Sequence, residues 1–365
     1  MSKQYEVKEL TKKALRDALN NNTFWNIPLA PMPKSKAMWL VSNPRIADND
    51  YCGVMGYEND KMVSFIYMLP DHLNINNDIQ KVYWMIHWWV DDTIKNTVLG
   101  PYVYNEAVNL ANKQVIIKAY AETAADFYKK QPYQVIASRL RHTLFFSLDS
   151  SILKGRFPFL KYFNTLVNIV DTFSYSVLGF INKPKLKNRT SHLKYEYINA
   201  LDEDTWNFIE PLCKNDLILK TKAYINWQLS SLQYTQTPTS KHIYASLETG
   251  NSNNIYIHSL KVIKDSTIIG FLAFTINYNE CNIKYFLTKE GLDYEACVDV
   301  LIEHVYATKS KFIFTDDTKL SDTITKRYKT IYTHKTTKIG LAHKSMGLDL
   351  TKLNLNLHDR DGHFY

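Results

Sequence analysis

The chain has 365 residues, with 44 Lys and Arg against 36 Asp and Glu, for a formal net charge of +8. At 45% apolar and 13% aromatic residues it can build real cores, which excludes a disordered tail protein. The length suits two domains of roughly 100–200 residues each.

Cys52, Cys213, Cys281 and Cys297 stand far apart and form no CxxC pair, so no zinc or dithiol site is expected. They read as buried, reduced thiols. The basic residues are scattered, which reads as a soluble basic surface that suits phosphates rather than as a DNA patch. No apolar signal region follows the polar N-terminus. The most apolar long stretch, Phe157 to Ile181, is broken by Lys161, Asn164, Asn168 and Asp171. No membrane span is expected from it, and the expected location is the cytoplasm.

In chain order, Val7–Asn20 reads as a polar amphipathic helix. Asp50–Tyr57 and Met62–Leu69 are β-rich runs flanking the turn Glu58-Asn59-Asp60-Lys61, a hairpin signal. Lys81–Val90 is apolar on both faces and should be a central strand. Pro101 suits the first position of a helix running to about Asn112. Gln114–Ala119 is a buried strand, Glu122–Lys130 a short helix, and Gln134–Ser138 and Thr143–Leu148 are two closing strands. Residues 149–190 read as a helical connector ending in a basic linker, NKPKLKNRT.

The second half repeats this order. Strands are expected at Tyr195–Ile198, His242–Leu247, Tyr256–Ile263, Thr267–Ile276, Ile283–Thr288 and Lys311–Thr315, with Lys338–His343 closing the sheet. Helices are expected at Asp202–Cys213, Lys222–Leu229, Tyr294–Ala307 and Ser321–Tyr328.

Chemistry concentrates between Trp88 and Tyr102, where a central strand ends, a polar loop follows and a helix begins. A helix N-terminus presents unbonded N–H groups and a favourable dipole to an anion, and Lys95 adds a cation, so a pyrophosphate fits there. His87, near the end of the strand on the face of Tyr83, Met85 and Trp89, reads either as a base for a substrate amine or as a core histidine. Glu122 suits the first turn of its helix. The tail from His358 to Tyr365 holds metal-type residues, but reads as a disordered or lobe-sealing tail. The aromatic stripe Phe157, Phe159, Tyr162 and Phe163 reads as core rather than lipid-binding.

The loop resembles the acceptor loop of the GNAT acyltransferases, V-D-P-x-x-R/Q-x-x-G-x-G/A. Val90 and Asp91 match its start, Lys95 takes the Arg/Gln position and Gly100 the last glycine, while Val98 replaces the middle glycine. Downstream, Phe127-Tyr128-Lys129-Lys130-Gln131-Pro132-Tyr133 resembles the family's Y-x-K-x-G-F segment, with Pro132 standing for glycine. The wider layout resembles tandem-lobed GNAT proteins found beside surface-polysaccharide genes, through Phe24-Trp25, Ser42-Asn43-Pro44 and Tyr224-Ile225-Asn226-Trp227.

The resemblance implies an α/β fold of two tandem GNAT-like lobes, each a mixed, mostly antiparallel sheet flanked by helices. It places an N-terminal lobe at 1–148, a helical connector at 149–190 and a degenerate C-terminal lobe at 191–365, where Lys289-Glu290-Gly291-Leu292-Asp293 makes a poor phosphate cradle. The implied donor is acetyl-CoA. Its pantetheine would pair with the backbone of Trp89 and Val90. Its pyrophosphate would rest on Lys95, Asn96, Thr97, Val98, Leu99 and Gly100. Tyr128 would protonate the leaving thiolate, though a packing tyrosine is the plainer reading. The acceptor implied is a small amine such as an amino sugar. Two alternatives stay open: a Fem-type peptidyltransferase using aminoacyl-tRNA, and a degenerate GNAT-fold binding protein, which the Val98 and Pro132 departures favour.

Overall fold

A computed structural model describes residues 4–26, 29–75, 78–95, 97–234, 245–246, 255–349 and 357–362. The first half runs β1 (Tyr5–Thr11), α1 (Lys12–Asn21), β2 (Leu29–Ala30), α2 (Lys34–Val41), β3 (Tyr51–Glu58), β4 (Lys61–Ile75) and β5 (Asp78–Val90). It continues through α3 (Leu99–Leu110), β6 (Val115–Ile117), α4 (Ala125–Lys129) and β7 (Tyr133–Phe145). The middle is helical: α5 (Ser150–Arg156), a 3-10 stretch over Pro158–Phe163, and α6 (Asn164–Thr190). The second half runs β8 (Lys194–Tyr197), α7 (Glu203–Cys213), α8 (Lys222–Leu229), β9 (Ala245–Ser246), β10 (Tyr256–Lys264) and β11 (Thr267–Asn277). It ends with β12 (Glu280–Thr288), α9 (Leu292–Ala307), β13 (Phe312–Thr315), α10 (Thr318–Arg327) and β14 (Tyr332–His343).

One twelve-stranded sheet carries the fold, in the order β1-β3-β4-β5-β6-β14-β7-β13-β12-β11-β10-β8. Each half contributes an antiparallel meander that ends on one parallel pair, β5 with β6 and β12 with β13. A helix, α3 or α9, links each parallel pair, as a parallel crossover requires. The two halves then exchange strands. β14 pairs antiparallel with β6 of the first half, β7 pairs antiparallel with β13 of the second, and β7 and β14 pair with each other from Tyr133 to Phe145. The strand expected to close the second lobe therefore closes the first. Local sequence cannot show this, because the choice between two sheet edges is a long-range one.

Helices cover both faces. On one face of the first half, α2 and α8 lock together through Trp39 and Trp227. Their rings stack at 4.0 Å, and each indole N–H donates to the other's backbone carbonyl, at 2.9 and 2.8 Å. Beside them the buried Asp71 carboxylate pairs with Arg45 and accepts from the Trp84 indole at 2.9 Å and the Tyr224 hydroxyl at 2.8 Å. An element of the second half thus completes the core of the first.

Several local expectations are corrected. The first helix begins only at Lys12, where the Thr11 hydroxyl accepts from the Ala14 N–H at 3.1 Å. Residues 5–11 are instead an edge strand on β3, because ladder pairing overrides local helical propensity. Pro101 lies in the third position of α3, still within the first turn where it costs no hydrogen bond. β7 is one strand, not two: Arg139 and Arg141 interrupt its apolar pattern but not its ladder. The basic segment from Lys183 to Arg189 is the end of α6, with Pro184 inside the helix, and not a linker. Phe157, Phe159, Tyr162 and Phe163 are exposed rather than core. The strand expected over His242–Leu247 lies mostly outside the described residues, with Ala245–Ser246 pairing on β2.

Candidate active site

β5 and β6 pair at only two positions, Tyr83 with Val115 and Trp84 with Ile116. Beyond them β6 ends, while β5 runs on to Val90, paired with β4 on its other side. The strands splay, and a cavity of about 440 Å³ opens between them, lined by Trp84–Trp88 and Ile117–Ala121 among others. The edge of β5 that β6 abandons offers alternating N–H and C=O groups to an extended ligand, as in strand addition.

His87 sits at a bulge in this edge. Its backbone is left-handed (φ 48°), and the β4–β5 register shifts opposite it, between Ile66 and Tyr67. The extra residue switches the face of every side chain after it. Val82, Trp84 and Ile86 share a core with Trp89, whereas Tyr83 and Met85 share theirs with Trp88 and Val90. The expected grouping of His87 and Trp89 with Tyr83 and Met85 is therefore corrected. His87 is exposed at the cavity mouth, not buried in the core.

Tyr128, on α4, lines the same cavity. It stands in an aromatic box, with the rings of Tyr120, Tyr104 and Tyr133 at 5.0, 6.0 and 6.0 Å. Burial pushes its phenol above the ordinary value, with further contributions from Tyr133 and Tyr120, so it keeps its proton at neutral pH.

The floor is a charged cluster that sequence reading missed. Lys118 follows β6, Arg139 and Arg141 lie on β7, Lys284 on β12 and Asp359 in the tail, and all five line the cavity. Arg139 and Arg141 hold Asp316 at 2.6 and 2.7 Å. Asp359 accepts from the Thr315 hydroxyl at 3.1 Å and the Asp316 N–H at 2.8 Å. Lys118 donates to the carbonyls of Asp359 and Asp361, at 3.0 and 2.5 Å. Burial pulls Lys118 down to about 7, helped by Arg139 and Lys284, and pulls Lys284 down to about 8. Burial, then Asp316, pushes Asp359 up to about 6. A second cavity of about 530 Å³ shares Arg139, Lys284 and Asp359 and is walled by Thr315–Lys319. The available signal was a lone cation inside an apolar strand, in VIIKA and NIKYF.

The predicted anion loop lies beyond the end of β5. Trp89 lines a smaller cavity with His87, and Val90 packs on Gly100, where an added Cβ would meet Val90 Cγ2 at 3.0 Å. Asp91 caps the loop by accepting from the Thr93 N–H at 2.9 Å, and Lys95 pairs with Asp92. Thr97 donates its hydroxyl to the Ile94 carbonyl at 2.8 Å. Val98 is the N-cap of α3, with an ordinary φ of −77° and a side chain 84% exposed, and it supplies no side-chain cap. The backbone there needs no glycine. Thr97, Val98 and Leu99 line a separate groove with Tyr5, Val7 and Tyr102. Asn96 lies outside the described residues. The cavity thus gathers His87 and Tyr128 and leaves the loop residues Lys95, Thr97, Val98, Leu99 and Gly100 outside its lining.

No protein-family model matches the sequence, and no curated protein matches it. Solved structures do. A GCN5-related N-acetyltransferase from Kribbella flavida superposes with a TM-score of 0.50 at 9% identity, covering 93% of this chain and 70% of that one. One from Anabaena variabilis gives 0.48 at 9% identity, over 93% and 72%. The N-myristoyltransferase of Saccharomyces cerevisiae, solved with bound myristoyl-CoA, gives 0.49 at 11%, over 93% and 82%. At such identities the likeness is one of fold. The chain has the GNAT fold, and the match takes in 93% of its length.

Proposed function

We propose that the chain is an acyl-CoA-dependent N-acyltransferase, with acetyl-CoA as donor and a small amine, such as an amino sugar, as acceptor. The observation that carries this is the splay of β5 from β6, which leaves a strand edge open on a cavity that holds a protonated tyrosine and a near-neutral carboxylate. The donor's pantetheine amides pair with the open edge towards Trp89 and Val90, and its pyrophosphate meets Lys95 and the first turn of α3. Backbone N–H groups of β5 polarise the thioester carbonyl. The amine nitrogen attacks that carbon, the C–S bond breaks, and Tyr128 gives its proton to the leaving sulfur. The proton lost by the amine goes to Asp359 or His87.

Calorimetric titration with acetyl-CoA tests the donor site. Micromolar binding is expected, lost in Lys95→Glu. No heat at millimolar acetyl-CoA would leave a GNAT-fold binding protein without this donor. The base is tested by pH. With Asp359 pushed up to about 6, turnover is expected to fall as pH drops through that value, since only the carboxylate accepts a proton. Asp359→Asn keeps an acceptor oxygen for Thr315 and Asp316 and is expected to remove that acidic limb. An unchanged limb would assign the base role to His87.

A further inference from the structure

Among the described residues, helix α6 leaves a whole face exposed. Val167, Leu178, Leu186 and the polar Asp171, Asn182 and Thr190 are buried, and the helix packs on α9. A second stripe, Leu166, Val170, Phe173, Val177 and Phe180, advances by alternate steps of three and four residues, so it too forms one helical face. Every member is exposed, from 40% at Val177 to 83% at Phe180. At about 1.5 Å rise per residue the stripe is about 21 Å long. The 3-10 stretch before it adds exposed Phe159 and Tyr162, the latter 90% exposed. Single apolar residues on a surface need no explanation, but a continuous stripe of this extent marks a partner.

The charges around the stripe say which partner. Its middle carries none: the lone acid between Ser150 and Thr190, Asp171, is buried and held by Lys311 at 2.5 Å. Both ends are basic, with Lys154, Arg156 and Lys161 before it and Lys183, Lys185 and Lys187 after it. A second copy laid along the stripe, parallel or antiparallel, would set cations against cations. An anionic phospholipid surface complements both ends, and it takes the apolar stripe into its acyl boundary while lysines stay among the headgroups. No helix among the described residues is long and apolar enough to cross a membrane, which fits a helix lying in the interface plane.

We propose that α6, with the stretch before it, is an interfacial anchor that docks the protein on an anionic phospholipid surface. The inference stands apart from the acyltransferase reading. The test is co-sedimentation of the full chain with vesicles of phosphatidylcholine alone and of phosphatidylcholine with roughly 30% phosphatidylserine. Partition onto the anionic vesicles is expected, and it should weaken as salt rises. The exposed substitutions Phe173→Glu with Phe180→Glu should lower it by at least about tenfold, and so should Lys183→Glu with Lys185→Glu and Lys187→Glu. Unchanged thermal unfolding shows that these variants stay folded. No partition onto either vesicle, or partition indifferent to Phe173→Glu with Phe180→Glu, overturns the proposal. So does a concentration-dependent dimer, seen by sedimentation velocity, that the same two substitutions dissolve.

Discussion

Asp361→Ala is expected to lower the unfolding free energy by about 3–5 kcal/mol, read as a fall in the urea midpoint at constant slope. The Lys220 ammonium and the Asp361 carboxylate are 1% and 0% exposed and 2.6 Å apart. Removing one leaves the other charge buried. Asp361 also accepts from the His358 N–H at 2.8 Å, so the turn of the tail loosens with it. The attraction within such a pair mainly offsets its own desolvation. The double variant Lys220→Met with Asp361→Leu should therefore recover most of the loss. Failure of the double variant to recover would mean that the tail's backbone contacts, not the charges, hold it. Acid gives a second handle. Burial favours the neutral carboxyl, but Lys220, His358 and Arg360 win and hold Asp361 well below the ordinary value. A depressed carboxylate stabilises above its unfolded pKa of about 3.9, and that contribution fades as pH falls through the lower folded value.

That tail shows what local sequence can and cannot reveal. Strands such as Lys81–Val90 and the Met62–Leu69 hairpin arm were legible because pattern and propensity agree, and a helix beginning near Pro101 was legible from the polar loop that precedes it. The tail's residue types read as a disordered or lobe-sealing tail, yet its work depends on partners far away in sequence. Arg360 meets Asp216 twice at 2.6 Å, and Gln228 reaches the Gly362 carbonyl at 2.9 Å. Gly362 is needed there for its φ of +73° and for a close approach to Trp84. The charged floor was hidden for the same reason: Lys118, Arg139, Lys284 and Asp359 meet only because β7 and β14 exchange between the halves. The bulge at His87 was hidden because one extra residue changes face parity without changing composition. The aromatic stripe misled because apolar spacing reports a helical face and not what covers it.

Tyr128→Phe is expected to lower kcat by about 10²–10⁴-fold, the usual worth of a positioned proton donor, while leaving acetyl-CoA affinity and thermal unfolding nearly unchanged. Phenylalanine keeps the ring that packs against Tyr120 and Tyr104, so the aromatic box survives and only the hydroxyl is lost. Burial raises this phenol above its ordinary value, so the wild-type hydroxyl stays protonated throughout the neutral range. No alkaline fall in rate traceable to Tyr128 is then expected below about pH 10. The separation of kcat from binding is the decisive reading. A tyrosine that only packs would leave kcat, stability and acetyl-CoA affinity alike nearly unchanged in this variant, because the phenylalanine ring keeps its contacts with Tyr120 and Tyr104. A proton donor shows its loss in the chemical step, because the hydrogen bond to sulfur forms only as the C–S bond breaks. If kcat survives in the phenylalanine variant, the thiolate departs without this residue, and the near-neutral Lys118 at the cavity floor becomes the proton source to test next.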